Sequence, residues 1–264
     1  MPTFTAKDVQ ALRQSTGAGM MDAKRALESA DGDMEAARRW LREQGLAGAA
    51  KRADREASQG AVALAVDNGA AAIVELRCET DFVAKADDFV ALVDELASLV
   101  AAKGEAAVTE RADAIDNLKT TLKENISVGQ MVRFELSAGA TVGTYLHVQS
   151  GRGVNAVLVE MQGGSDDLAH DVAVHIAFAR PAYLRRDEVP ETDVAAERET
   201  VEAIARKEGK PEAAMAKIVE GRMNGWFKDR VLLEQAYARD EKKSISDLIG
   251  SAEILRFAQV VVGS

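Results

Sequence analysis

Ile73-Val74-Glu75-Leu76 and Leu158-Val159-Glu160-Met161 carry nearly the same wording 85 positions apart, and each runs into an acidic, apolar helix-like segment. The first stretch returns from a hairpin. Ala61–Val66 alternates as a strand, Asp67-Asn68-Gly69 makes the turn, and Ala71–Leu76 comes back. A long helix follows with Phe89, Leu92, Val93, Leu96, Leu99 and Val100 on one face, then a shorter one with Ile115, Leu118 and Leu122. The order then recurs. Strands at about 128–136, 143–149 and 154–161 precede a helix over about 166–179. This reads as an internal pseudo-duplication, hence an α+β core of two related halves.

The flanking segments are helical. Residues 1–45 read as three short helices, opened by a Thr5/Asp8 capping box and separated by Gly17-Ala18-Gly19 and Asp31-Gly32-Asp33. Residues 46–59 are small and charged and read as a linker with helical potential. Residues 188–225 interrupt the core. One helix with Val194, Val201, Ile204 and Ala205 reaches Gly209-Lys210-Pro211, and a second with Met215, Ile218, Val219 and Met223 returns. That narrow apolar seam suits an antiparallel coiled coil. The stretch 255–262 reads as a closing strand.

Composition narrows the function. The 264 residues carry 33 basic and 43 acidic side chains, a net charge of −10, which disfavours non-specific nucleic-acid binding. No apolar run is long enough for a membrane span, and the start, from Met1 to Asp8, lacks a leader profile, so a cytoplasmic protein is expected. One thiol, Cys78, and three histidines give neither a disulfide nor a metal cluster. No cofactor, metal site or catalytic set is expected. His175, in an apolar helix, reads as a satisfied core histidine; His170 reads as an exposed helix residue, and Cys78 as a buried structural thiol. Gly17-Ala18-Gly19 with Lys24 fits neither the phosphate-loop nor the dinucleotide spacing. Composition leans towards a protein that binds proteins.

Three places could form a contact surface. Met20-Met21 follows the glycine turn, and adjacent helical positions point about 100° apart, so both cannot be core. In Cys78-Glu79-Thr80-Asp81-Phe82-Val83-Ala84-Lys85, either Phe82 tucks under the sheet with Thr80 or Asp81 as a cap, or Asp81-Phe82 is an exposed apolar tip beside a carboxylate. The second half has only the loop Gln162-Gly163-Gly164-Ser165 at the equivalent joint. His147 ends a strand, where contact and structural roles stand level.

The run from Leu12 to Leu27 (LRQSTGAGMMDAKRAL) closely resembles the N-terminal signature of bacterial translation elongation factor Ts, and the run from Glu75 to Lys85 resembles that family's second signature. Val219–Met223 and Leu232–Gln235 add further matches. The resemblance implies a non-enzymatic guanine-nucleotide exchange factor that binds elongation factor Tu·GDP, with no direct nucleic-acid or membrane contact. It implies a small N-terminal three-helix (UBA-like) module, two pseudo-repeated α+β core subdomains and an inserted coiled-coil hairpin. The corresponding divisions are 1–55 for the module and linker, 56–140 for the first subdomain, 141–187 and 226–264 for the second, and 188–225 for the insertion.

Carried onto this chain, Arg13, Met20 and Met21 face the partner's GTPase domain. Thr80, Asp81 and Phe82 form the tip that disturbs its magnesium site, with Val83 beside it among the contact residues, and His147 contacts the same domain. The hairpin can serve self-association or partner contact, and its apolar seam equally fits packing within the chain alone. Arg77 stands where the family has Asn, and Ala236-Tyr237 where Pro-Phe is usual. A passive binding protein and an enzyme built on the α+β core are the rival readings; the tip disfavours the first, and the missing catalytic set disfavours the second.

Overall fold

Three helices open the chain in the computed structural model, which describes residues 4–264; Met1-Pro2-Thr3, part of the stretch read for a leader, lie outside them. Helix α1 (Ala6–Thr16) starts at the expected capping box, with the Thr5 hydroxyl accepting from the Asp8 N–H at 3.3 Å and the Asp8 carboxylate accepting from the Thr5 N–H at 2.7 Å. It stops at Gly17, whose φ of 68° is open to glycine without strain. Helix α2 (Met20–Ser29) follows, then α3 (Met34–Ala50), which is capped by Asp33. Leu12, Ala26, Leu27 and Ala37 are fully buried between them.

Helix α3 overruns the expected linker as far as Ala50. The small residues that denied it an apolar face let it pack closely instead. A Cβ on Gly45 would lie 2.2 Å from the Thr120 methyl, so glycine there allows the contact with the later helix that carries Thr120.

The hairpin is as read. Strands β1 (Gln59–Asp67) and β2 (Ala70–Cys78) pair antiparallel, Ala63 opposite Val74, around Asn68 and Gly69, both at positive φ. A single turn, α4 (Asp81–Ala84), leads into α5 (Asp87–Lys103) and α6 (Ala112–Leu122). Strand β3 (Ser127–Glu135) then joins the free side of β2, giving the order β1-β2-β3. Phe89, Leu96 and Val100 of α5 bury against Val74 and Leu76 of the sheet.

Strand order along the chain groups β3 with the strands that follow it, whereas the division at residue 140 keeps it in the first subdomain. The structure gives it to the first sheet, where Ile126, Val128 and Met131 complete the first core.

The second half repeats the plan. Strands β4 (Ala140–Gln149) and β5 (Arg152–Gln162) precede α7 (Asp166–Ala179), over the expected range. Helices α8 (Glu191–Lys207) and α9 (Glu212–Arg230) pack on each other through Val201, Ala205, Met215, Val219, Met223 and Phe227. The second of them runs past residue 225 because Phe227 continues the seam. A short pair, β6 (Ala236–Tyr237) and β7 (Asp240–Ser244), and α10 (Ile245–Ile249) lead to β8 (Glu253–Val261), which completes the order β4-β5-β8. Each half is thus a hairpin, a helical crossover and a third strand beside the returning one.

The shared wording has a physical counterpart. Glu75 and Glu160 are both buried carboxylates whose oxygens accept backbone N–H groups. Glu75 accepts from Gln130 at 3.0 Å and Gly263 at 3.1 Å, and from Arg77 Nε at 2.8 Å. Glu160 accepts from Ser137 N–H and Arg256 Nε, each at 2.6 Å. A buried carboxylate is retained only with such partners. Two compact units result. One comprises residues through Phe134 with Val148–Val154 and Val260–Ser264, the other Glu135–His147 and Asn155–Gln259. The α+β class stands.

Candidate functional site

Between β2 and α5 the chain needs a connection, and the sequence supplies one with its own cap. Thr80 is extended, and its hydroxyl accepts from the Val83 N–H at 3.4 Å, starting the single turn of α4. Cys78, fully buried, donates its thiol to the Thr80 carbonyl at 3.2 Å. Burial, reinforced by the charge of Glu124, pushes that thiol up to about 12, so it stays protonated and inert.

Glu124, just beyond the end of α6, holds the same loop from outside. One of its oxygens accepts from the N–H groups of Glu79 at 2.9 Å and Thr80 at 3.1 Å; the other accepts the Thr80 hydroxyl at 2.6 Å.

On this braced turn the three residues of the expected tip and their neighbour Val83 part company. Val83 is half-buried against the first core. Asp81 is bound by Lys85 one turn later at 2.5 Å, and that hydrogen bond holds its carboxyl below the usual range. Phe82 is left pointing to solvent, 82% exposed. Of the two readings open in the sequence, Thr80 is indeed a cap, but Phe82 does not tuck under the sheet.

In the N-terminal helices, Met20 and Met21 are both exposed, at 50% and 64%. The buried side of α2 is Ala23, Ala26 and Leu27, and the first turn projects beyond it. Arg13 is exposed on α1. These residues and the tip belong to one unit, joined through adjacent positions: Lys123 binds Asp22 of α2 at 3.0 Å, and its neighbour Glu124 binds the tip loop. A cleft of about 650 Å³ between these helices and α6 is lined by Gly17, Gly19, Asp22, Trp40, Arg52 and Thr121.

His147 belongs to the other unit. It is exposed on β4, with its ring stacked on Tyr145 at 6.4 Å. His175 is 1% exposed; its Nδ1 accepts from the Ala238 N–H at 3.3 Å and its Nε2 lies 3.0 Å from Gln235 Oε1, so both nitrogens are satisfied in the neutral ring. Burial lowers its pKa. It is the expected core histidine. His170, exposed, meets the Thr144 carbonyl at 2.9 Å.

Sequence reasoning passed over Glu124. A lone glutamate after a helix carries no motif, and only the fold shows that it meets a loop 44 positions earlier.

Among the described residues no group of three His, Cys, Asp or Glu side chains could hold a metal ion, and no helix is long and apolar enough to cross a membrane. The α+β scaffold thus carries a solvent-facing aromatic on a braced turn, with exposed methionines on the same unit. A family model described as Elongation factor TS matches residues 79–264. The chain is 44% identical over 279 residues to the elongation factor Ts of Pseudarthrobacter chlorophenolicus and 42% identical over 278 residues to that of Kineococcus radiotolerans, each match covering 100% of both chains. The elongation factor Ts of Acidothermus cellulolyticus is 44% identical over 277 residues, 100% of this chain and 99% of the relative. The chain belongs to the elongation factor Ts family, and its role is that of a translation elongation factor.

Proposed function

We propose that this protein is a guanine-nucleotide exchange factor for elongation factor Tu, and that the Thr80-Asp81-Phe82 tip disturbs the magnesium and phosphate site of the GDP-bound partner. The observation that carries the reading is the 82% exposure of Phe82 on a turn held by hydrogen bonds at its base. Burying such a ring in a partner is worth roughly 1.5–3 kcal/mol, which is available to offset local rearrangement of a metal site. If this protein and magnesium-bound GDP favour different conformations of the partner, each weakens the other's binding by the same factor. Magnesium neutralises phosphate charge, so disturbing its site loosens the nucleotide.

On this reading no covalent bond is made on this chain, and it is not an enzyme in that sense. Met20, Met21 and Arg13, in the UBA-like module, and His147 add contact area to the partner's GTPase domain in the cytoplasm. The α8–α9 hairpin acts as a coiled coil for self-association or partner contact, with Ile204 an exposed apolar position on it.

The test is release of a fluorescent GDP analogue from elongation factor Tu. Wild type should accelerate it, and a folded Phe82→Ala variant should not. Binding without acceleration by the wild type would make the protein a passive binder and the tip mere structure.

A further inference from the structure

The aim of Phe82 is set by the residues that hold its turn, and the strongest of these holds is Glu124. Lys123 closes α6 in the left-handed region, at φ 59°, which turns the chain so that Glu124 faces the loop after β2. All three of its contacts fall on Glu79 and Thr80. Because the Thr80 hydroxyl gives its proton to Glu124, its lone pair is turned to the Val83 N–H, which fixes the turn on which Phe82 stands.

The brace is reciprocal. Glu79 Oε1 accepts from the Asn125 N–H at 2.7 Å, and the Asn125 side chain donates to the carbonyls of Ala53 at 3.0 Å and Arg55 at 2.7 Å. A charged acceptor taking two N–H groups and a hydroxyl is a strong and directional restraint. Phe82, by contrast, makes no use of the core and has only its backbone to direct it.

We propose that Glu124 is a positioning residue for nucleotide exchange, orienting the Phe82 wedge through Thr80 without itself being the wedge. This rests on the exchange reading above. Its signature is a loss in the rate reached at saturating factor with little change in the concentration needed for half-effect, because docking area is kept while the tip is misdirected.

The experiment compares wild type, Glu124→Ala and Glu124→Gln in release of a fluorescent GDP analogue over a range of factor concentrations. Amide hydrogen exchange at residues 79–83 and thermal unfolding are followed in parallel. Glu124→Ala should lower the saturating rate about tenfold, as a misplaced reacting element does, with half-effect unchanged within about twofold. Exchange at Glu79 and Thr80 should quicken. Glu124→Gln keeps an oxygen for the two N–H groups and should retain at least about a third of the rate. A wild-type rate in Glu124→Ala overturns the proposal. So does an equal loss in Glu124→Gln, or a loss accompanied by unfolding of the whole unit. A wild type that accelerates nothing overturns the exchange reading, and the positioning role with it; an active wild type beside an equally active Glu124→Ala overturns the positioning role alone.

Discussion

Phe82 owes its exposure to what its neighbours have already used. Thr80 is spent on the cap, Asp81 on Lys85, and Val83 on the first core, so the ring is the side chain of the turn left 82% exposed to solvent. Phe82→Ala should therefore change folding stability by no more than about 0.5 kcal/mol, as surface substitutions do, while lowering stimulated GDP release at least about tenfold. Thermal unfolding and the release assay, run on the same preparation, check both halves. His147 has its ring against Tyr145, and His147→Ala should cost a smaller share, about two- to fivefold, because a peripheral aromatic contact is worth ~1 kcal/mol or less. An unchanged release rate would remove His147 from the site. Met20 and Met21 are both free of the helical core, and replacing the pair with serine should weaken docking while leaving the saturating rate nearly intact.

The elements show where sequence reasoning reaches and where it stops. The hairpin, α5, α7 and the Thr5 cap were legible because each rests on local chemistry: turn residues, period and side-chain oxygens in register. The partner of β3 was not, since strand pairing over tens of residues leaves no local trace. Nor was the brace of Glu124 on Thr80, for the same reason. The continuation of α3 to Ala50 was half-legible: its small residues hid an apolar face, and only the approach of Thr120 to Gly45 explains them. Gly143 makes a comparable demand on the second half. A Cβ there would lie 2.1 Å from the carbonyl oxygen of Ala169 in α7, backbone that cannot swing aside. Gly143→Ala should push α7 off its sheet and destabilise the chain by more than about 2 kcal/mol in urea unfolding, a cost typical of forced overpacking. An alanine variant as stable as wild type would show that the helix is not seated that closely.

At the scale of the whole molecule, two buried groups of the second unit should each give stability its own pH window on the acid side, because one is held neutral and the other charged. His175 is held neutral, its Nδ1 occupied by a backbone N–H and its pKa lowered by burial below the ordinary 6.5. The unfolded chain binds a proton there sooner than the folded one, so stability is complete above about pH 6.5 and declines as pH falls towards the lowered folded value, by at most about 1.4 kcal/mol per unit. Glu160 behaves at lower pH. Burial alone would raise its pKa, but the Ser137 N–H and Arg256 outweigh that and hold it below the ordinary 4.5. Its contribution is present above about pH 4.5 and is lost only as pH drops further. Urea unfolding at pH 7.5, 5.5 and 4.0 separates the two. His175→Gln should be less stable than wild type at pH 7.5 yet lose less between 7.5 and 5.5, since it has no proton to take up. Glu160→Gln should leave that upper interval unchanged and flatten the profile below 4.5. A wild type whose stability is level from 7.5 to 5.5 would mean that the folded ring accepts a proton as readily as the unfolded one, and the pairing of His175 with Ala238 and Gln235 would then not be what keeps it in the core.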